Sequence, residues 1–528
     1  MTEQMNGPKN KPRLGRASGQ APGQTLTLSV RQALKQPMKQ SKNLPKNRLL
    51  ALADWQSAGL QRRQALGFFA ALGAGLAMTP MSIAQPVAAA FTDAQLTQAA
   101  ALRDLALKDT LAFKVVDSLV TEVGARPVGS AGDGRAVAWA LAQFKALGFA
   151  NVRAEAVPVN AWRAGPVQAE ILAPFAHKIV AVALGNSVGT PPGGLEAEVA
   201  YYANLEELKA DTSERAKGRI VFIDQKMVRA KDGAGYGPAV MARVAGAAEA
   251  ARKGAVAVAI RSIGTDRDRL AHTGSTRYEP QLRQVPALAV SNPDADLIGR
   301  LQRYAKPVVM RFQLQTESGV PVISHNVIGE VPGTDLADEI VMIGAHLDSW
   351  HVGQGAIDDG AGVGIMTAVG KQILDAGRPL RRTVRVVLFA NEENGLDGAT
   401  AYADKYKTVR HQLVGESDFG AGKIWRMRTR VGADTLPVMQ AIGKVLLPLG
   451  VDMGGNDGSP SPDAGLIVRR NAWPGVELTQ DGTDYFDWHH TDNDTLDKIN
   501  PASLSQNVAA WTTLVWLAAQ STGRFMGA

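Results

Sequence analysis

The chain has 528 residues, of which 45% are hydrophobic, so it is long enough to fold into two globular units with sizeable cores. It contains no cysteine, which excludes disulfide bonds and thiolate metal ligands. The formal net charge of +7 comes from the first 90 residues, where twelve Lys and Arg meet two acidic residues. The remaining chain holds 45 basic and 48 acidic residues, which argues against nucleic acid as a partner.

Residues 1–90 read as a disordered leader followed by a signal peptide. Arg62 and Arg63 precede an apolar, small-residue-rich run over residues 65–84, and PVAAA then offers a cleavage site near Ala90. We therefore expect an exported protein, periplasmic or secreted, without a stable membrane span after cleavage. The paired arginines favour twin-arginine export. An uncleaved anchor helix is the alternative.

Helices and strands alternate after the leader, which predicts an α/β fold. A helix is expected after a cap at Thr92 or Asp93, and two amphipathic helices follow at residues 111–123 and 134–147. Alternating apolar residues then predict two strands at residues 152–162 and 167–174.

Residues 186–315 read as a small inserted α/β unit, because a Gly/Pro-rich linker precedes short strands that alternate with helices. None of these element ends clusters metal ligands, so the unit is expected to support a site and to perform no chemistry. Its loop AHTGSTRYE contains His272 and Arg277, and a solvated loop is favoured there over a substrate contact. The predicted units are 1–90, 91–185, 186–315 and 316–528.

The stretch from Gly344 to Glu393 is the chemical centre of the sequence. Its two apolar segments, EIVMIGAHLD and RVVLFANEEN, read as buried strands that end in oxygen and nitrogen ligands. Between them an apolar helix is closed by Gly377. Open α/β sheets place their chemistry beyond the carboxyl ends of strands, so we expect a divalent-metal site here.

The C-terminal part continues the α/β pattern. The sequence predicts a helix at 435–450, a polar loop at 454–465, a strand at 474–482 and an apolar final helix at 503–520. A two-metal hydrolase site without cysteine needs histidines, carboxylates and one further carboxylate that accepts a proton. The chain supplies these at successive element ends: His346, Asp358, Glu392, Glu393, Asp418, and His490 or His489.

These motifs resemble the clan of two-zinc exopeptidases that includes aminopeptidase Y, glutamate carboxypeptidase and carboxypeptidase Q, with the closest likeness to the carboxypeptidase Q branch. The likeness covers roughly residues 95–520. It rests on H-x-D at His346–Asp348, DDGAG at 358–362, NEENG at 391–395, ESDFG at 416–420 and QDGTDYFDWHHTDNDT at 480–495. It implies a three-layer α/β/α domain with a mixed central sheet and an inserted protease-associated (PA) domain.

The resemblance also implies roles for individual residues. Asp358 would bridge two zinc ions, with His346 and Asp418 completing one site and Glu393 and His490 the other. His490 is preferred to His489 because the family ligand directly precedes a Thr or Ser. Glu392 would be the general base for a zinc-activated water, Asp348 would orient His346, and the Asp358–Asp359 peptide bond would be cis.

Substrate and assembly are less defined by the sequence. Tyr485 is a candidate oxyanion donor or a packed aromatic, Asp457 a candidate for binding an α-amino group, and Arg277 or Arg469 for binding a carboxylate.

The expected activity is hydrolysis of short peptides or dipeptides, and homodimers are common in the resembling branch. The alternatives are an aminopeptidase on longer peptides, a catalytically silent receptor-like protein, and glutaminyl-cyclase-like acyl transfer. The complete ligand set and the inserted unit disfavour the last two.

Overall fold

The structure is a computed structural model that describes residues 90–377 and 379–527. The predicted signal peptide and its arginine pair lie outside the described residues. Within the described part, no helix combines the length and the apolar character needed to cross a membrane.

The described chain forms helices and strands in alternation. The helices are α1 Asp93–Ala106, α2 Leu111–Glu122, α3 Ala131–Ala146, α4 Leu205–Ala210, α5 Tyr236–Arg252, α6 Asn292–Leu301, α7 Ala361–Asp375, α8 Asp397–Lys405, α9 Leu436–Leu446, α10 Pro462–Asn471, α11 Tyr485–Trp488 and α12 Pro501–Gln520. The strands are β1 Ala150–Ala173, β2 His177–Ile179, β3 Ala181–Ala183, β4 Leu195–Tyr202, β5 Ile220–Ile223, β6 Ala257–Arg261, β7 Ala287–Val290, β8 Val309–Val331, β9 Gly333–His346, β10 Leu380–Phe389, β11 His411–Glu416, β12 Ile424–Arg430, β13 Asp452–Met453 and β14 Gly475–Gln480.

The strands form a mixed sheet in the order β13-β12-β14-β11-β9-β10-β8-β4-β5-β6-β7-β3, with β1 beside β8. Strands β11, β9 and β10 at its centre are parallel, whereas β8 and β12 run antiparallel to their neighbours β10 and β14. Three parallel neighbours bring three carboxyl ends to the same edge of the sheet. A mixed α/β fold with a mixed central sheet, as predicted, is therefore confirmed.

Helices cover both faces of the central sheet because its strands are apolar on both sides. In β9, Val341 and Ile343 join the core formed with α1, α2, α7 and α12. The alternate residues Ile340 and Met342 join a second core with α8 and α10. The site at the strand ends is therefore mounted on rigid, doubly packed elements.

The long strand β8 connects two regions of the sheet. Its C-terminal end pairs with β10, and its N-terminal end pairs with β4, from which β5, β6, β7 and β3 continue. The elements from β3 to α6 surround an apolar core of their own, which includes Tyr202, Val221 and Ile260. This segment, residues 181–301, lies between β1 and β8 in the chain, at the position of the expected insertion, and we call it the inserted segment.

Most predicted elements are present, with two corrections. Thr92 caps α1 with a reciprocal Thr–Gln capping box, and Gly377 follows α7 with φ +63°, as expected. The two strands predicted at 152–162 and 167–174 are one strand, β1, because the breaks near Arg163 and Val167 are register shifts within continuous pairing to β8. The loop predicted at 454–465 ends in the first turn of α10, whose Pro occupies an early helical position.

Candidate metal centre

The register of the central strands brings the predicted ligands together. His346 is the last residue of β9 and pairs with Phe389, so Glu392 and Glu393 follow at the same edge. Glu416 pairs with Gly344, which places Asp418, two residues further on, level with His346. Residues distant in sequence thus meet at the carboxyl ends of three parallel strands.

Asp358 lies between the two predicted histidines. Its Oδ1 is 3.1 Å from His346 Nε2, and its Oδ2 is 3.1 Å from His490 Nε2. The Asp358–Asp359 bond is cis, as the resemblance implied. One carboxylate that faces an imidazole with each oxygen is the arrangement that a bridging ligand requires.

The other predicted ligands complete two groups around Asp358. Glu393 Oε2 is 3.1 Å from His490 Nε2, and Asp418 Oδ1 is 3.7 Å from His346 Nε2. His489 also contributes, since its Nε2 lies 3.5 Å from Asp358 Oδ2 and its ring stacks on His490. His490 Nε2 lies 3.1 Å from a carboxylate oxygen of both Asp358 and Glu393, which favours His490 as the ligand.

The donor set fits divalent cations. Three groups of side chains can each offer ligand atoms within 4.8 Å of one another: Asp358, His489 and His490; His346, Asp358 and Glu393; and His346, Asp359 and Asp418. Glu393 Oε1 is buried without a hydrogen-bond partner. Imidazole and carboxylate ligands without thiolate suit zinc and other first-row metals.

The electrostatics of the buried carboxylates also favour a bound cation. Burial, and then repulsion from Asp358, raises the pKa of Glu393 well above its usual value. Burial also raises the pKa of Glu392 and Asp418. Although burial opposes it, hydrogen bonds from His346 and His490 hold the pKa of Asp358 well below normal. Because so many carboxylates repel one another, bound cations would stabilise their ionised forms.

Asp348 contacts both His346 and the loop that carries the predicted base. His346 Nδ1 is 3.0 Å from the main-chain oxygen of Asp348 and 3.7 Å from its carboxylate Oδ1. That carboxylate accepts hydrogen bonds from the backbone N–H groups of Glu392, at 3.0 Å, and Glu393, at 3.4 Å. The backbone carbonyl is therefore the nearer partner of the imidazole, and the carboxylate anchors the Glu392–Glu393 turn.

The weaker candidates occupy different surroundings. Tyr485 is buried and its ring packs against Phe419 and His489. Asp457, Arg277 and Arg469 are exposed. Substrate contacts by these residues stay predictions.

The expectation of a solvated loop is wrong for His272. This residue is 1% exposed, because the loop turns inward against the segment that carries His489 and His490. Both ring nitrogens already contact protein oxygens, so His272 has no free donor for a substrate.

Several residues at the site have no clear signal in the sequence. Arg126 is fully buried and donates to the main-chain oxygens of Leu347, Gln354 and Gly355. Asp494 Oδ1 accepts from the N–H groups of Ala356 and Ile357, just before Asp358. Only the TDNDT motif, which contains Asp494, could have drawn attention to this pair.

The inserted segment also reaches the site. Arg243 on α5 donates to the main-chain oxygen of Thr273 and approaches His490 Nδ1 at 3.4 Å. Trp350 donates its indole N–H to His490 Nε2 at 3.1 Å. An Arg in the middle of an Ala-rich helix was the sequence hint of the first contact.

Comparisons with known proteins agree with this geometry. The model of peptidase family M28 matches residues 326–515. Carboxypeptidase Q of Mus musculus is 32% identical over 403 residues, or 76% of this chain and 84% of that protein. The structure of a peptidase M28 precursor from Shewanella amazonensis SB2B is similar with a TM-score of 0.80 and 47% identity, over 82% of this chain and 98% of that one. A zinc aminopeptidase from Bacillus subtilis, 19% identical with a TM-score of 0.57 over 78% of this chain and 96% of that one, shares the fold.

Proposed function

The chain belongs to peptidase family M28 and is a metallopeptidase, and we propose that it is an exported two-zinc exopeptidase that hydrolyses short peptides, with dipeptides as the main class. The observation that carries this proposal is the position of Asp358 between His346 and His490. The similarity to carboxypeptidase Q supports an exopeptidase.

In the proposed site, His346 and Asp418 would hold one ion, Glu393 and His490 would hold the other, and Asp358 would be a ligand to both. Bound zinc ions would lower the pKa of a bound water and polarise the carbonyl of the scissile peptide bond. The unpaired Glu393 Oε1 and the buried, mutually repelling carboxylates support this assignment.

Glu392 is proposed as the general base. Its carboxylate would accept a proton from the attacking water and then deliver it to the leaving amine. Asp348 fixes its backbone through the Glu392 N–H, and burial raises the pKa of the Glu392 carboxyl, so the group binds a proton more readily than an exposed glutamate. Tyr485 is retained as a candidate donor to the developing oxyanion.

The small substrate class is proposed from the burial of the site. His346, Asp358, Glu393 and His490 are all buried, which supports a short peptide over a folded protein as the substrate. We further propose that residues 186–315 form the PA-like domain, since the strands and helices of this segment surround an apolar core of their own and Thr273 contacts His490. Homodimerisation and export through the leader belong to the same proposal.

The base assignment is tested with Glu392→Gln. This variant should keep its metal, because Glu392 lies outside the proposed ligand set, and should lose at least about 100-fold in kcat, the typical contribution of general acid–base catalysis. Metal content by mass spectrometry and kcat on a dipeptide are measured together. A variant with near wild-type kcat would remove Glu392 from this role.

The substrate class is tested with dipeptides, N-blocked dipeptides and amino-acid amides, each with and without a chelator. We expect chelator-sensitive cleavage of dipeptides. Cleavage of amides and longer peptides from the amino end would favour an aminopeptidase. About two zinc ions per chain support the proposal, and a protein that binds none contradicts it.

A further inference from the structure

His272 makes two short contacts from the middle of the inserted segment. Its Nδ1 is 2.7 Å from the main-chain oxygen of His489, and its Nε2 is 2.7 Å from Asp266 Oδ1. Asp266 Oδ1 in turn accepts from Asn292 Nδ2 at 3.0 Å. His272 and Asp266 are buried, so neither contact is shared with solvent.

The partners determine the direction of these hydrogen bonds. A main-chain carbonyl can only accept a hydrogen bond, so Nδ1 of His272 carries a proton and its N–H donates to the carbonyl oxygen of His489. On the opposite side of the ring, Nε2 contacts the Asp266 carboxylate. The imidazole therefore connects the inserted segment to the backbone of the His489–His490 pair in one fixed orientation.

The adjacent residue, Thr273, holds His490 itself. The Thr273 N–H donates to the main-chain oxygen of His490 at 3.0 Å, and His490 Nδ1 lies 3.2 Å from the Thr273 main-chain oxygen. His490 has φ +64°, a left-handed conformation that non-glycine residues rarely adopt. A backbone in this conformation needs contacts from its surroundings to hold it.

We propose that His272 is a positioning residue: through the carbonyl of His489 it holds the backbone that aims His490 Nε2 at the metal position. This inference rests on the proposed function, in which His490 is a zinc ligand. It assigns a role in metal binding to the inserted segment, which supplies no ligand.

Two substitutions separate the two contacts of the ring. The amide nitrogen of an asparagine lies close to the position of His Nδ1, whereas that of a glutamine lies close to the position of Nε2. His272→Asn therefore keeps a donor for the His489 carbonyl and gives up the Asp266 contact. His272→Gln keeps a donor for Asp266 and leaves the carbonyl without one.

The readouts are the zinc dissociation constant, from competition with a chromophoric chelator, and kcat and KM on a dipeptide. Loss of a residue that orients a metal ligand typically weakens metal affinity or activity by 10- to 100-fold. We expect His272→Gln to weaken binding of one zinc by at least about tenfold and to lower kcat more than KM changes. His272→Asn should stay within about threefold of the wild type in zinc affinity, because it retains the donor.

A second pair of variants covers the case in which His272→Gln does not fold. His272→Leu has no donor for the His489 carbonyl and should weaken zinc binding by at least about tenfold, whereas Asp266→Asn keeps the His272 donor to that carbonyl and, like His272→Asn, should stay within about threefold of the wild type. His411 is the matched control, because it is also a buried histidine, with Nδ1 3.0 Å from the Val409 main-chain oxygen and Nε2 2.8 Å from Tyr402 Oη. His411→Asn and His411→Gln should leave zinc affinity unchanged.

Equal zinc affinity in His272→Asn and His272→Gln, whether both are normal or both are weakened, would overturn the proposal and make His272 a packing residue. The proposed function fails separately. A wild-type protein that binds two zinc ions but cleaves no peptide contradicts the exopeptidase assignment, while the chelator comparison still decides the role of His272.

Discussion

Removal of the Asp494 carboxylate should loosen the loop that presents Asp358. Asp494 Oδ1 accepts from the backbone N–H of Ala356 at 2.8 Å and of Ile357 at 2.7 Å, and the side chain is buried. Asp494→Ala leaves both donors without a partner. Because each unsatisfied buried donor costs about 1–3 kcal/mol, the free energy of unfolding should fall by about 2–6 kcal/mol.

Asp494→Asn is the matched control, because its amide oxygen can still accept from both N–H groups. Burial raises the pKa of Asp494 to about 7, so near neutral pH the native group is partly protonated and resembles the neutral amide. We expect this variant to lie within about 1.5 kcal/mol of the wild type, the net value of an ordinary hydrogen bond.

The assay combines urea unfolding of the three metal-free proteins with zinc content after dialysis. Asp358 directly follows Ile357, so Asp494→Ala should lose zinc as well as stability, whereas Asp494→Asn should retain it. If Asp494→Ala unfolds at the wild-type midpoint and keeps as much zinc as the wild type, the argument that this carboxylate holds the loop of Asp358 is refuted.

Three further predictions concern other parts of the molecule. Burial lowers the pKa of His411 from its usual 6.5 to about 3, so its contribution to stability is present above pH 6.5 and is lost as the pH falls toward 3. The free energy of unfolding in urea should therefore change with pH by up to about 1.4 kcal/mol per pH unit, and His411→Asn should reduce this slope; identical slopes would contradict the prediction. Gly185→Ala places a Cβ against the Trp350 ring, so it should lower the free energy of unfolding by about 1–3 kcal/mol. It should also lower kcat, because it displaces the indole that donates to His490; calorimetry and kinetics that match the wild type would refute this. Arg382→Met breaks the buried ion pair with Glu339 and should lower the free energy of unfolding by about 3–5 kcal/mol. Arg382 lies at the start of β10, far from the end of that strand that carries the predicted ligands, so kcat per folded molecule should not change. A loss of kcat at full stability would be inconsistent with this reasoning.

Local patterns in the sequence predicted the elements that carry the site. The apolar runs before His346 and Asn391 identify β9 and β10, and the helical spacing that ends at Gly377 identifies α7. Sequence patterns failed where pairing or packing overrides local signals. Gly165 and Pro166 read as a break, yet long pairing with β8 carries β1 past them. Pro462 reads as part of a loop, yet it begins α10.

By itself, the sequence determined which residue types are available for metal chemistry and placed them at the ends of successive elements, because hydrophobic periodicity marks each strand and the polar residues that follow it. Only the tertiary structure decided how these residues face one another: which carboxylate lies between two imidazoles, that His272 is buried against His489, and that Arg126 and Asp494 hold the backbone that precedes Asp358. Apart from the contact of His346 with Asp358, 12 positions away, these contacts join residues more than a hundred positions apart. Their geometry depends on strand register and packing, which no local pattern in the chain encodes.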